Sequence, residues 1–265
     1  MIKFACCLFM LCLMTINIHA DETIFTPPSV ILGRGEVVTV AFNPSGTQIA
    51  VGSFLGVWIY SYPDLADVRH FPGELVNNIE WSPDGRYIAI NTYKPDENIV
   101  LDVTTGERLP IPDNFVGQMA WSADGRYLAS GNSDHDIVIW DITTHTVYQQ
   151  LMGDRANIRW VQWSHDGAYL FAITDDDIAQ VWDINTGSII RQFEGDFNQY
   201  VIIEWSQDGG MVVLLQNEKI LVYDGRTGAL IHSIEGEFYD IARLYWSPDS
   251  RYLMTVSGFK IGTIW

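Results

Sequence analysis

Short segments in which apolar and polar residues alternate occur along most of the chain and predict β-strands. Residues 158–163 (Ile-Arg-Trp-Val-Gln-Trp) alternate with a period of two, which is typical of a half-buried strand. A mostly apolar run at 168–173 predicts a second, buried strand, and further strands are expected at 178–182 and 188–193. Polar turns separate these segments, and the Asp-Gly of 164–167 suits a tight reversal. The pattern predicts four short antiparallel strands joined by tight turns.

This four-strand pattern is repeated along the chain. In each copy an aromatic residue precedes a short polar turn, and these aromatic residues are Phe42, Trp81, Trp121, Trp163, Trp205 and Trp246. They recur every 39 to 42 residues, which indicates structural repeats that bury their faces by stacking on one another. The recurring tryptophans are therefore predicted to pack one repeat against the next rather than to form a ligand cage.

The ends of the third strands carry a recognisable dipeptide. Trp140-Asp141 and Trp182-Asp183 close their strands in this way, with Leu101-Asp102 and Tyr223-Asp224 as weaker copies. On these residues the chain resembles the WD-repeat family, and the resemblance covers residues 29–265. It implies an all-β fold, a six-bladed β-propeller of four-stranded antiparallel blades.

One departure from the family pattern is consistent. The family has Gly-His before the first strand, whereas this chain has pairs such as Gly73-Glu74 and Gly153-Asp154. In the family that His joins a buried network with an Asp that Asp134 matches by position, so we expect the network to be absent here. Bacterial-type members of the family resemble this chain in that departure, which favours a prokaryotic source.

The two ends of the chain suggest how the ring closes. The last repeat supplies three strands, the third at 261–265, while residues 29–33 before the first repeat resemble a spare fourth strand. In similar family members the N-terminal strand completes the last blade, which leaves no exposed strand edge. The alternative is that the chain is a fragment of a larger WD-repeat protein that continues past Trp265.

The first twenty residues are typical of a secretory signal peptide. Lys3 precedes an apolar run at 4–16 that is too short to cross a bilayer as a helix, and Ala20 precedes an acidic segment. We expect cleavage after Ala20 and a secreted or periplasmic protein. The domains are then a signal peptide (1–20), an N-terminal extension (21–28) and the propeller (29–265). All three cysteines lie in the leader at positions 6, 7 and 12, which excludes disulfides and thiol chemistry from the mature chain.

Charge narrows the choice of partner. Asp and Glu number 33 against 15 Lys and Arg, a formal net charge of −18. Such a protein repels phosphate backbones and anionic lipid, so nucleic acid is not expected as a partner, nor is membrane insertion after signal cleavage.

No motif points convincingly to catalysis. Ser133, Asp134 and His135 have the residue types of a hydrolase triad, but three consecutive residues cannot form that relay. The acidic run at 175–177 lacks the spacing of a calcium loop and is interpreted as a solvated turn. We therefore expect no enzyme activity, no cofactor and no metal site. A propeller enzyme acting on a small metabolite or glycan stays open as the alternative, with carboxylates of several blades converging on the channel.

The remaining hypothesis is a binding surface. In the family that the chain resembles, the turns before the first and third strands share one face, and here acidic residues predominate in these turns. The candidate partner-binding residues are Glu74, Asp134, Asp136, Asp154, Asp175, Asp176, Asp177, Asp196 and Glu237. The sequence thus predicts a non-catalytic, exported scaffold that binds a protein partner through its loop face. The acidic residues on that face favour a basic partner.

Overall fold

The structure is a computed structural model, and it describes residues 35–65, 68–73, 75–94, 97–153, 156–194, 203–216, 219–235, 241–257 and 263–264. The predicted signal peptide, the N-terminal extension and the strand expected at 29–33 lie outside the described residues. None of the described residues form a helix with the length and apolar character needed to cross a membrane.

The described residues form five four-stranded antiparallel sheets and one three-stranded sheet. Neighbouring strands in each sheet are consecutive in the chain. The first two sheets contain β1 (Val37–Phe42), β2 (Gln48–Ser53), β3 (Gly56–Ser61) and β4 (Val68–Pro72), then β5 (Val76–Trp81), β6 (Tyr87–Thr92), β7 (Ile99–Asp102) and β8 (Arg108–Leu109). The next two contain β9 (Ala120–Trp121), β10 (Tyr127–Gly131), β11 (Ile137–Asp141) and β12 (Thr146–Leu151), then β13 (Ile158–Trp163), β14 (Tyr169–Thr174), β15 (Ile178–Asp183) and β16 (Ser188–Glu194). The last two contain β17 (Ile203–Trp205), β18 (Met211–Gln216), β19 (Lys219–Asp224) and β20 (Leu230–Glu235), then β21 (Ile241–Trp246), β22 (Leu253–Ser257) and β23 (Thr263–Ile264).

The alternating pattern located the strands to within a residue or two in the fourth repeat. The strand predicted at 158–163 is β13, and those predicted at 168–173, 178–182 and 188–193 are β14, β15 and β16. The second strand is nearly all buried, as its continuous apolar run requires. The expectation of four antiparallel strands per repeat is confirmed for five repeats.

The described residues fall into two compact units, one ending at Leu109 and the other beginning at Pro110. In the first unit, two apolar clusters fill the space within and between its two sheets. In the second unit, three clusters form the core.

The recurring tryptophans pack repeats together within each unit. Trp81 and Trp163 are 7% exposed, and Trp205 is fully buried. The indole Nε1 of Trp163 donates to the Ala120 carbonyl oxygen (3.1 Å), one residue before the equivalent aromatic residue of the preceding repeat. The Nε1 of Trp81 and that of Trp246 make the matching bonds to the carbonyl oxygens of Ala41 and Glu204 (both 3.2 Å). This confirms the prediction that these residues are packing elements.

We call one end of each sheet the turn end; it carries the turn from first to second strand and the turn from third to fourth. Its hydrogen bonds recur from repeat to repeat. In the fourth repeat, the hydroxyl of Ser164 donates to Asp166 Oδ1 (2.7 Å) and accepts a bond from the Tyr169 amide (2.9 Å). The Ser-Asp bond recurs in the second, third, fifth and sixth repeats, at Ser82-Asp84, Ser122-Asp124, Ser206-Asp208 and Ser247-Asp249. Buried or half-buried serines thus fix the same turn in every repeat that has them.

Two repeats add an ion pair at the turn end. Arg126 contacts the buried Asp141 carboxylate (2.8 Å), and Arg86 contacts Asp102 in the same way (2.9 Å). Burial alone would raise the pKa of Asp141, but hydrogen bonds from Thr143, Arg126 and Thr144 outweigh it and lower that pKa to about 2. The pKa of Asp102 is lowered by the same balance. The ionised form of each Asp is therefore part of the folded state.

Candidate functional site

The opposite end of each sheet, which we call the loop end, carries the loop before the first strand and the turn from second to third strand. In the third and fourth repeats these are the turns at 132–136 and 175–177 and the loop before β13. The described candidate residues Asp134, Asp136, Asp175, Asp176 and Asp177 lie in the two turns. The others, Glu74, Asp154, Asp196 and Glu237, lie outside the described residues.

The turn at 132–136 is built on a buried asparagine. Asn132 is 1% exposed, and its Oδ1 accepts bonds from the amides of Asp134 (3.0 Å) and Asp136 (2.9 Å). The backbone of His135 has φ 71°, in the left-handed region. The side chain of Asp134 is exposed at the tip of this fixed turn.

The turn at 175–177 is fixed in a different way. The amide of Ile178 donates to the Thr174 hydroxyl (3.1 Å), and the Asp177 amide donates to the Thr174 carbonyl oxygen (3.2 Å). Asp177 has φ 61°, which Asp tolerates better than most residues. Asp175 and Asp176 are exposed, and Asp177 is half-buried with Arg159 3.8 Å from its Oδ1.

Asn157, in the loop before β13, joins the two turns. Its Oδ1 accepts from His135 Nδ1 in the Nδ1–H tautomer (2.8 Å), and its Nδ2 donates to Asp175 Oδ2 (3.0 Å). Its carbonyl oxygen accepts from the Asp175 amide (2.9 Å). The structure thus brings Asp134, Asp175, Asp176 and Asp177 into adjoining turns of two repeats, and we call these four residues the acidic edge.

The structure corrects the expectation for Asp136. It was expected on the binding face, but it is 5% exposed, and its carboxylate accepts from Gln150 Nε2 (2.7 Å) and the Gly153 amide (2.8 Å). A tether from this turn to the loop before the next repeat therefore forms without the family's His. It uses Asp136 rather than Asp134, because Asp136 is the carboxylate that points towards Gly153. Asp136 is thus part of the framework and not of the acidic edge.

A histidine lies beside the acidic edge. His135, in the triad-like Ser133-Asp134-His135, bonds through Nδ1 to Asn157. Within the described part of the chain, no group of three or more His, Cys, Asp and Glu side chains is placed to hold a metal ion. What the geometry offers is a set of exposed negative charges on a hydrogen-bonded backbone.

Sequence reasoning missed a second feature, at the loop end of the first two repeats. There Phe54, Leu55, Pro72, Leu75 and Tyr93 lie together, and Leu55 and Tyr93 are more than half exposed. The missed signal is the apolar character of the Phe54-Leu55 turn, where the third, fourth and fifth repeats have polar residues.

Comparison with known proteins supports the repeat assignment. The family model "WD domain, G-beta repeat" matches residues 108–141 and 145–183. The chain is 27% identical over 118 residues to "Echinoderm microtubule-associated protein-like 2" of Rattus norvegicus, a match that covers 40% of this chain and 18% of that protein. The chain therefore spans less than a fifth of the length of this relative.

A solved structure is similar in fold. A chain of "Crystal Structure of Mitotic Checkpoint Complex" superposes with a TM-score of 0.70 at 19% identity, covering 95% of this chain and 84% of that one. WD40 propellers are usually non-catalytic and bind protein partners. Two of its repeats match the WD40 family model, and its sheets and this likeness in fold agree with a WD40 repeat β-propeller.

Proposed function

We propose that this protein is a non-catalytic scaffold that binds a basic segment of a protein partner through the acidic edge. The observation that carries the proposal is the Asn157 bridge, which fixes the two acidic turns relative to each other. Asp134, Asp175 and Asp176 remain exposed to solvent on this fixed backbone. A partner's Lys or Arg side chains would meet carboxylates that need little reordering, which lowers the entropic cost of binding.

The test replaces charge while keeping shape. The triple variant Asp175→Asn, Asp176→Asn and Asp177→Asn removes three charges, and Asn tolerates the left-handed backbone at 177. The matched control, Glu36→Gln, Glu107→Gln and Asp183→Asn, removes the same number of charges elsewhere. The probe is a set of Lys/Arg-rich dodecapeptides with shuffled spacing, titrated against the purified full chain by calorimetry.

We expect the tightest peptides to lose at least about tenfold in affinity for the acidic-edge variant, or roughly 1.4 kcal/mol, and less than about twofold for the control. The loss should shrink as salt is raised, because exposed charges are screened. Equal losses in the two variants would mean that net charge alone attracts the peptides, and the proposal would then fail.

We further propose that the protein is exported, with the bacterial-type character that its departure from the family's Gly-His pair suggests. The leader at 1–20 supports this, with its single Lys, short apolar run and Ala20 before acidic residues. Expression of the full reading frame in a secreting bacterial host should yield a chain that begins at Asp21 by N-terminal sequencing. Retention of Met1 in the recovered protein would contradict export.

We also propose that residues 29–33 pair with β23 as the fourth strand of the last sheet. The sheet of β21, β22 and β23 has three strands where the other five sheets have four. A sixth four-stranded blade would protect the edge of β23.

A further inference from the structure

The loop end of the first two repeats carries an apolar patch, which we define as Phe54, Leu55, Pro72, Leu75 and Tyr93. Leu55 is 54% exposed and Tyr93 is 53% exposed. The rings of Phe54 and Tyr93 meet edge-on, with 5.9 Å between centroids and 78° between planes. Leu55, Pro72 and Tyr93 are thus exposed together in adjoining loops, with Phe54 and Leu75 half-buried beside them. Such a grouping marks interaction surfaces more often than scattered exposed residues do.

The backbone of Leu75 holds the patch together. Its amide donates to the Phe54 carbonyl oxygen (3.3 Å), and its carbonyl oxygen accepts from the Tyr93 amide (3.0 Å). Leu75 has φ 54°, a left-handed conformation that costs a branched residue about 1 kcal/mol or more. The patch is therefore a preformed surface rather than a set of independent loops.

The patch surrounds a hollow. A cavity of about 530 Å³ is lined by Phe54, Leu55, Pro72, Gly73 and Leu75, and none of these described lining residues is charged. A second cavity of about 740 Å³ shares Pro72 and Gly73 and runs between apolar strand residues of the two repeats, with Glu97 and Arg108 among its lining. Gly73 is the shared wall: a Cβ placed on it would meet only the Gly56 Cα, at 4.0 Å. The absence of a side chain at Gly73 keeps the hollow open.

Charge and shape identify the kind of occupant. A net charge of −18 opposes contact with anionic lipid, and it opposes a second copy of the same chain, which would carry the same charge. The residues that line the hollow are apolar, whereas the protein as a whole is strongly acidic. A partner polypeptide with basic flanks satisfies both conditions, because an apolar side chain enters the hollow while its flanks are attracted by the acidic protein.

We infer that the apolar patch is a docking site for a partner polypeptide that inserts one aromatic or branched aliphatic anchor side chain into the hollow beside Gly73. This rests on the proposed function as a protein-binding scaffold and adds a site separate in chemistry from the acidic edge. The anchor supplies the affinity by burial of apolar surface, and the strained Leu75 turn fixes the shape that receives it.

The test fills the hollow. Peptides that bind the full chain are selected from a displayed library of random dodecapeptides. The selected peptides are then synthesised and titrated against the protein. Gly73→Leu places a side chain in the hollow without a steric conflict at its Cβ, and Leu55→Ser removes an exposed wall. The matched control is Leu230→Ser, since Leu230 is 52% exposed on β20 and lies outside the patch.

We expect selected peptides that share one Trp, Phe, Leu or Ile to bind at least tenfold more weakly to Gly73→Leu and to Leu55→Ser, and unchanged to Leu230→Ser. Replacing the shared residue by Ser in the peptide should cost as much. Peptides without a shared anchor, or equal binding by all variants, would overturn the inference. So would binding of anionic vesicles or self-association that Gly73→Leu abolishes. The acidic-edge variant separates the two proposals, since it should weaken purely basic peptides and leave the anchor dependence intact.

Discussion

The loop end of repeats one and two has the same backbone hydrogen bond as the loop end of repeats three and four. The side chains differ, because they are apolar in the first pair of repeats and polar or acidic in the second. Leu75 and Asn157 occupy the same position, one residue before the first residue of β5 and of β13. The carbonyl oxygen of each accepts from an amide after the second strand, that of Tyr93 (3.0 Å) or of Asp175 (2.9 Å). Around this common bond one pair of repeats has apolar rings and the other has a polar network.

The equivalent glycines show the same contrast. A Cβ on Gly153 would lie 1.9 Å from the His135 carbonyl oxygen, whereas a Cβ on Gly73 would have open space. The turn at 132–136 packs directly against Gly153, and the Asp136 carboxylate, which accepts from the Gly153 amide, fixes this contact. The two-residue Phe54-Leu55 turn leaves the corresponding space empty. The repeat therefore fixes the backbone path, while turn length and side chains decide whether a loop end is closed by hydrogen bonds or open as a hollow.

The largest expected effect on stability comes from replacing each of these glycines by alanine. Gly153→Ala should lower the free energy of unfolding by about 3 kcal/mol, because the new methyl group forces the His135 carbonyl away and breaks the Asp136 bond. Gly73→Ala should change it by less than about 1 kcal/mol, since its methyl group meets no atom closer than 4.0 Å. Urea unfolding of both variants measures the difference. Similar losses at the two glycines would show that the two loop ends are not built differently.

The turn ends should behave alike where the loop ends differ. Asp102→Asn in the second repeat and Asp141→Asn in the third each remove an ion pair with an arginine from a buried carboxylate. We expect each to cost about 2 kcal/mol in urea unfolding at pH 7, because hydrogen bonds to a charged group are lost while the amide keeps the shape. Asp183→Asn is the control, because Ala168 occupies the position of the arginine in that repeat and the Asp183 carboxylate accepts from the Thr186 amide (3.0 Å). A loss at Asp183 as large as at Asp141 would remove the arginine from the explanation.

These contrasts separate what the sequence could predict from what it could not. The period-two pattern, the Asp-Gly turns and the spacing of Trp163 and its equivalents identified the strands and the packing between repeats, because each is local or repeated. The roles of Asp136 and Asn157 depend on contacts 14 to 22 residues apart across two repeats, and no local pattern encodes them. The apolar patch was missed because Phe54 and Tyr93 directly follow apolar strands and look like their continuation.

The smallest effect is expected in acid, and it tests whether the turn-end carboxylates act as charges. The pKa of Asp141 is about 2 in the folded protein, below its ordinary value of 3.8. Because the pKa of Asp141 is lowered on folding, its ionisation stabilises the folded protein at pH values above the ordinary pKa. This contribution is lost as the pH falls from about 4 through 2. At pH 3 the ionisation of Asp141 should still contribute about 1 kcal/mol, and below pH 2 almost none. Urea unfolding of the wild type and of Asp141→Asn from pH 7 to pH 2 should therefore converge in acid. If the difference in unfolding free energy between the two proteins stays constant with pH, the Asp141 side chain stabilises the turn by its shape and hydrogen bonds rather than by its charge. The ion pair with Arg126 would then add no stability.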